Sequence, residues 1–148
     1  MPIKSFRGRI ADEGDDTITL HTINGSMGYR IKKFQIIPND PTDNTATACV
    51  MKIYSVPQSS TTDTIDFSDN TLLGCAFYSA NTDTRPGEMV VIFENMTFNQ
   101  DIHLTNSING TAGLEMNYYI ELEQIKLDLN RNTVATLKDI RNEKVALP

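Results

Sequence analysis

The stretch MNYYIELEQIKLDL, residues 116–129, is the longest run with few breaks and the richest in large apolar side chains. Met116, Tyr118, Ile120 and Leu122 alternate with Asn117, Tyr119, Glu121 and Glu123, and Ile125, Leu127 and Leu129 then continue in the other phase. A period of two marks a strand with one buried face, and the one-residue slip at Glu123-Gln124 predicts a bulge there. Tyr118, Leu122, Ile125 and Leu129 also fall at helical spacing, in a composition that favours helix. The strand reading prevails because nearly everything upstream reads as strands that need a long partner.

Upstream, Phe6, Gly8 and Ile10 alternate with Arg7 and Arg9, and the cluster Asp12-Glu13-Gly14-Asp15-Asp16 reads as a turn. Residues 17–22 alternate again with Ile18 and Leu20 inward, so the two segments predict a hairpin. In GYRIKKFQIIP, residues 28–38, Tyr29 and Ile31 share one phase and Phe34 and Ile36 the other. The Lys32-Lys33 pair between them marks a bulge or a crossing between sheets.

Residues 46–56 are apolar in both phases, as in a central strand or one whose outer face is covered. The stretch 58–70, rich in Ser, Thr and Asp, is the longest loop, with Ile65 and Phe67 as its anchors to the body. Residues 72–80 form another strand, and Pro86-Gly87 signals a turn. The apolar run 89–93 predicts a buried strand, paired with a short one in which Ile102 and Leu104 flank His103. Residues 133–141 fit a helix or a last strand equally well, and 142–148 read as a short C-terminal arm.

About eight strands with turn signals between them and no repeat predict an all-β fold, an antiparallel β-sandwich of jelly-roll type. An immunoglobulin-like sandwich comes second, weakened by the absence of Trp and of a convincing disulfide pair. A chain of 148 residues with 39% apolar content predicts one domain over 1–141 with one modest core.

The net charge of −6 argues against a nucleic-acid or anionic-membrane partner, whose phosphates demand clustered Lys and Arg. No segment approaches the roughly 20 apolar residues that cross a bilayer as a helix, and MPIKSFRGRI lacks a secretory apolar run. The expected compartment is therefore a cytoplasm, in which the protein stays or which it leaves only by cell lysis. There, Cys49 and Cys75, neither in a CxxC pair, read as small buried apolar residues.

Chemistry finds thin material. His21 and His103 lie on the polar phase of their strands, and no nucleophile, metalloprotease or phosphate-loop motif is present. No enzymatic activity, cofactor or small-molecule substrate is expected. Asp12, Glu13, Asp15 and Asp16 resemble a calcium loop in composition but miss the EF-hand spacing, which favours a plain acidic turn. Arg7, Arg9, Arg30, Lys32 and Lys33 stand in the first quarter of an acidic chain. If their strands are neighbours they form one basic patch, suited to steering onto an acidic protein surface.

SFRGRIADEGDDTITLHT, GYRIKKFQIIPNDP, FNQDIHLTN and NYYIELEQIKLDLNRNTVATLKDIRN, in that order, resemble small virion structural proteins of tailed bacteriophages, particularly marine ones. The resemblance covers most of the chain and carries no catalytic or ligand motif. It implies a capsid decoration (cement) protein on the capsid exterior, present in the host cytoplasm during assembly. Its implied partners are the major capsid protein and copies of itself. The alternatives are a tail, collar or fibre component, or a carbohydrate- or calcium-binding β-sandwich module.

Overall fold

A computed structural model describes residues 2–20, 27–41, 46–81, 84–110 and 114–126. Among them the chain forms eight strands and no helix: β1 (Ile3–Ala11), β2 (Gly14–Ile18), β3 (Met27–Pro38), β4 (Thr47–Tyr54), β5 (Leu72–Asn81), β6 (Thr84–Ile92), β7 (Ile102–Asn109) and β8 (Glu115–Lys126). They make two antiparallel sheets, one of three strands in the order β1-β8-β3 and one of five in the order β2-β7-β4-β5-β6.

The stretch that decides the fold is a strand, and it is the central one of its sheet. Met116, Tyr118, Ile120 and Leu122 of β8 are buried, while the residues between them are half-exposed. The bulge is not at Glu123-Gln124: β8 stays in register through both against Arg30 and Tyr29, and the extra residue is Lys32, across the ladder in β3. One slip in β3 reconciles its two phases, so Tyr29, Ile31, Phe34 and Ile36 all face inward. With β8 unbroken, Ile125 falls on the outer phase and is only half-buried.

The predicted hairpin of β1 and β2 is instead a corner between sheets. β1 pairs with β8 and β2 with β7, and the chain turns at Asp12-Glu13, where Glu13 takes the left-handed φ of 58°. Two short strands in different sheets look like a hairpin to a reader of turn signals alone. The same limit applies to the predicted pairing of 89–93 with 102–104, because β7 pairs with β2 and β4. β6 pairs only with β5 among the described residues. It begins at Thr84, so Pro86-Gly87 lies within the strand, and Met89 is 68% exposed on what is an edge rather than a buried strand.

One apolar core joins the two sheets. Ile10, Ile31, Phe34, Ile36, Met116, Ile120 and Leu122 meet Ile18, Met51, Ile53, Ala76, Ile102 and Leu104 within a single cluster. Polar struts cross it at one end. Asn106 of β7 donates to the Ile10 and Ala11 carbonyls, Asp12 accepts from the Ile108 N–H at 2.8 Å, and the Tyr118 hydroxyl donates to Asp16 at 2.5 Å. The acidic turn is thus partly structural: two of its carboxylates satisfy groups of the core and the opposite ladder.

Gly8 of β1 sits opposite Tyr118, whose ring lies over it, and a β-carbon there would stand 2.7 Å from the hydroxyl oxygen. Gly8→Ala is expected to cost about 2 kcal/mol by overpacking a ring that Asp16 holds in place. Urea unfolding checks this, and an unchanged midpoint would show that the ring swings clear.

Residues 55–71 lie over the outer face of β4. Val50, Tyr54, Val56, Leu72 and Cys75 are buried there, outside the main core cluster. This explains why 46–56 is apolar in both phases. Ile65 and Phe67 are not the expected anchors, being 38% and 57% exposed. Its middle is tied to the sheet by the Lys52 ammonium, over the buried apolar residues beneath.

Candidate docking face

β1, β8 and β3 turn their outward phase to one surface, and register sets its rows. Arg30 stands across Glu123 from Ile3, and Lys33 across Glu121 from Ser5. Gln35 then stands across Tyr119 from Arg7, and Ile37 across Asn117 from Arg9. Lys32, extruded at the bulge, reaches the same surface. All five basic residues singled out in the sequence, Arg7, Arg9, Arg30, Lys32 and Lys33, therefore gather on one sheet face, although a gap of some twenty residues separates the two groups.

The reading from sequence lacked the acidic spine between them. Glu115, Glu121 and Glu123 of β8 run down the middle of the face and divide the cations into two kinds. Arg9 pairs with Glu115 at 3.1 Å, and Glu123 takes both Arg30 at 3.0 Å and Lys32 at 3.6 Å. The Arg30 hydrogen bond, and then the charges of Arg30 and Lys32, hold the Glu123 carboxyl below its usual range. Arg7 forms no ion pair among the described residues. Lys33 stands over the Tyr119 ring at 6.0 Å, and Glu121 is occupied by the Tyr119 hydroxyl at 2.9 Å. The alternation of Asn117, Tyr119, Glu121 and Glu123 held this signal, since in a central strand those side chains must share a face with both neighbours.

Between Arg7 and Arg9 on one bank and Gln35 and Ile37 on the other lies an open trough of about 810 Å³. Asn117 and Tyr119 form its floor, and Glu88 of β6 closes one side beside the Ile36 N–H. The trough thus offers amides, a phenol, an exposed isoleucine and the guanidinium of Arg7, which is in no ion pair among the described residues.

No protein-family model and no curated protein matches the chain.

The remaining candidates fall elsewhere. No group of three or more His, Cys, Asp and Glu able to hold a metal occurs among the described residues, the acidic turn included. His103 of β7 meets the Thr17 hydroxyl through Nδ1 at 3.1 Å, while His21 lies outside the described residues. Cys49 and Cys75 are free and buried, as their isolation in the sequence suggested. Residues 133–141 and the arm 142–148 are likewise outside the described residues. The reading from sequence missed Lys52, only 2% exposed, under the 55–71 segment. A lone Lys inside a run apolar in both phases was its signal.

Proposed function

We propose that this chain is a non-enzymatic virion structural protein of a tailed bacteriophage, a capsid decoration protein that binds the major capsid shell through the outer face of β1-β8-β3. The observation that carries the reading is the gathering of five cations on that face, with Arg7 and Lys33 in no ion pair among the described residues. The sequence resemblance supports the viral setting. The paired cations Arg9, Arg30 and Lys32 keep the surface ordered, and the unpaired ones are available to steer an acidic partner into register. Many copies on a regular shell make weak contacts effective, since each contact raises the local concentration for the next.

Strand order supports the jelly-roll form of a sandwich. The first strand pairs with the last, the second with the seventh and the fourth with the fifth, as in a rolled-up antiparallel ribbon. The third and sixth would complete the roll. Here β6 pairs with β5, and the sixth strand reaches the third through the Glu88 carboxylate on the Ile36 N–H at 3.4 Å.

Purified particles test the reading directly. Hundreds of copies per particle are expected; a handful would make the chain a tail or collar part, and absence would end the virion assignment. On empty shells, Arg7→Glu with Lys33→Glu is expected to weaken attachment about tenfold or more, because both changes oppose the partner's charge. Lys32→Glu is expected to do less, since Lys32 already spends its charge on Glu123. Unchanged occupancy for the double variant would remove this face from the interface.

A further inference from the structure

The far side of the molecule carries a different device. Lys52 of β4 points away from the main core, and its ammonium donates to the Thr62 hydroxyl at 2.8 Å and the Thr64 carbonyl at 2.7 Å. Both acceptors belong to the 55–71 segment. The ammonium also stands 5.7 Å from the Tyr54 ring centre. Asp63 and Asp69, from the same segment, supply compensating negative charge, against a desolvation that lowers the lysine's pKa.

Most other ties of this segment lie within it or at its ends. Asp66 binds Ser68, Asp69 binds Thr71, and the Ser55 N–H donates to the Thr71 carbonyl at 2.9 Å. Toward the body there remain Ser107 with Asp63 and the edge-on contact of Phe67 with Phe93 at 5.2 Å, in each of which the strap's own residue is exposed. Ile65 and Phe67 contribute little burial that would hold the middle of the segment down. Beneath it, Val50, Tyr54, Val56, Leu72 and Cys75 form a second apolar floor, separate from the core that joins the sheets.

From this we infer that residues 58–70 are a strap, latched at its centre by the Lys52 ammonium, that opens as a unit without unfolding the sheets and uncovers the apolar floor. Opening replaces two hydrogen bonds of a buried ammonium by bonds to water, so the latch itself resists weakly. What keeps the strap closed is the floor's aversion to water. Local opening of this kind lies at a lower free energy than global unfolding, because the larger core that joins the sheets stays buried. The closed strap hides the floor; the open strap shows it, beside the already exposed Ile65 and Phe67. The molecule therefore has two interconverting surfaces on the side away from the basic face.

The two cysteines report on this directly. Cys75 pairs with Lys52 in the β4–β5 ladder and belongs to the floor, whereas Cys49, three residues earlier on β4, belongs to the main core. A thiol reagent added to the native protein is expected to label Cys75 at least about tenfold faster than Cys49, with a weaker dependence on urea. Lys52→Met, which keeps the length of the side chain and removes its N–H groups, is expected to raise Cys75 labelling about tenfold further and leave Cys49 unchanged. Equal rates and equal urea dependence for the two thiols in the unaltered chain would overturn the inference, whatever the variant does. So would a folded Lys52→Met protein whose Cys75 stays as protected as before.

Discussion

Asn106→Ala is expected to lower the free energy of unfolding by about 3 kcal/mol, the largest effect of any single side chain considered. Asn106 is fully buried and uses its whole amide: two N–H groups donate to the Ile10 and Ala11 carbonyls at 3.0 and 3.1 Å, and its carbonyl accepts from the Cys49 thiol at 2.9 Å. It ties the end of β1, in one sheet, to β7 and β4 in the other. Truncation strands the Ile10 carbonyl and the Cys49 thiol, both buried, at the corner where the chain changes sheets. Each stranded group costs about 1–3 kcal/mol, and the void left by the amide adds to that. The urea midpoint with unchanged slope is the measurement; a loss under about 1 kcal/mol would mean that water enters the corner and replaces the amide.

Alkaline conditions are expected to cost as much. Burial, and then the charge of Asp12, pushes the Cys49 thiol up to about 12 from its ordinary 9.0. Burial, and then Asp69, Cys75 and Asp66, pushes Tyr54 up to about 12 from 10.0. Burial also raises Tyr78 and Cys75, and it raises Tyr118 ahead of the hydrogen bond to Asp16. Each of these groups keeps its proton in the folded chain after the unfolded chain has released it. The folded state then binds more protons, and stability must fall as pH rises from about 9 toward 12. Lys52 works the other way: its lowered pKa means that the unfolded chain holds the extra proton below 10.5, a gain with rising pH that offsets part of the loss.

At about pH 11 the thiol of Cys49 alone accounts for about 2–3 kcal/mol and Tyr54 for about 1 kcal/mol, at 1.36 kcal/mol per pH unit. Urea midpoints between pH 8 and 11 should therefore drop steeply. In Cys49→Ala the slope with pH, whatever the starting stability, should be roughly halved. A flat profile in the unaltered chain would refute the argument. The thiol is also the donor to Asn106, so its ionisation attacks the same corner that the alanine substitution does.

Periodicity made the class of fold legible, because alternation of apolar residues reports which side of a strand is dry. It does not report which strand lies alongside. The phase change at Lys32-Lys33 reads as a bulge or a crossing between sheets, and the register of β3 against β8 decides for the bulge. That at Glu123-Gln124 was misplaced because Ile125 looks apolar enough to be inside, while β3 across the ladder had already absorbed the slip. The corner at Asp12-Glu13 read as a hairpin because turn chemistry is the same whether or not the flanking strands pair. On the outer face of β1-β8-β3, the cations were legible from charge in an acidic chain. Their division into paired and unpaired was not, because it depends on a partner strand far along the chain that places Glu115 and Glu123 beside Arg9 and Arg30. Lys52 escaped notice since nothing local says that Thr62 and Thr64 will fold back over it.

The middle of the three-stranded sheet is its latest segment in chain order: β8 separates β1 from β3 and bonds to both. As the polypeptide leaves the ribosome, β1 and β3 have no neighbour to complete their ladder until residues 115–126 emerge. Such distant pairing makes for slow folding. It also means that the two cationic rows of β1 and β3 come to lie on one face only once β8 has taken its place between them.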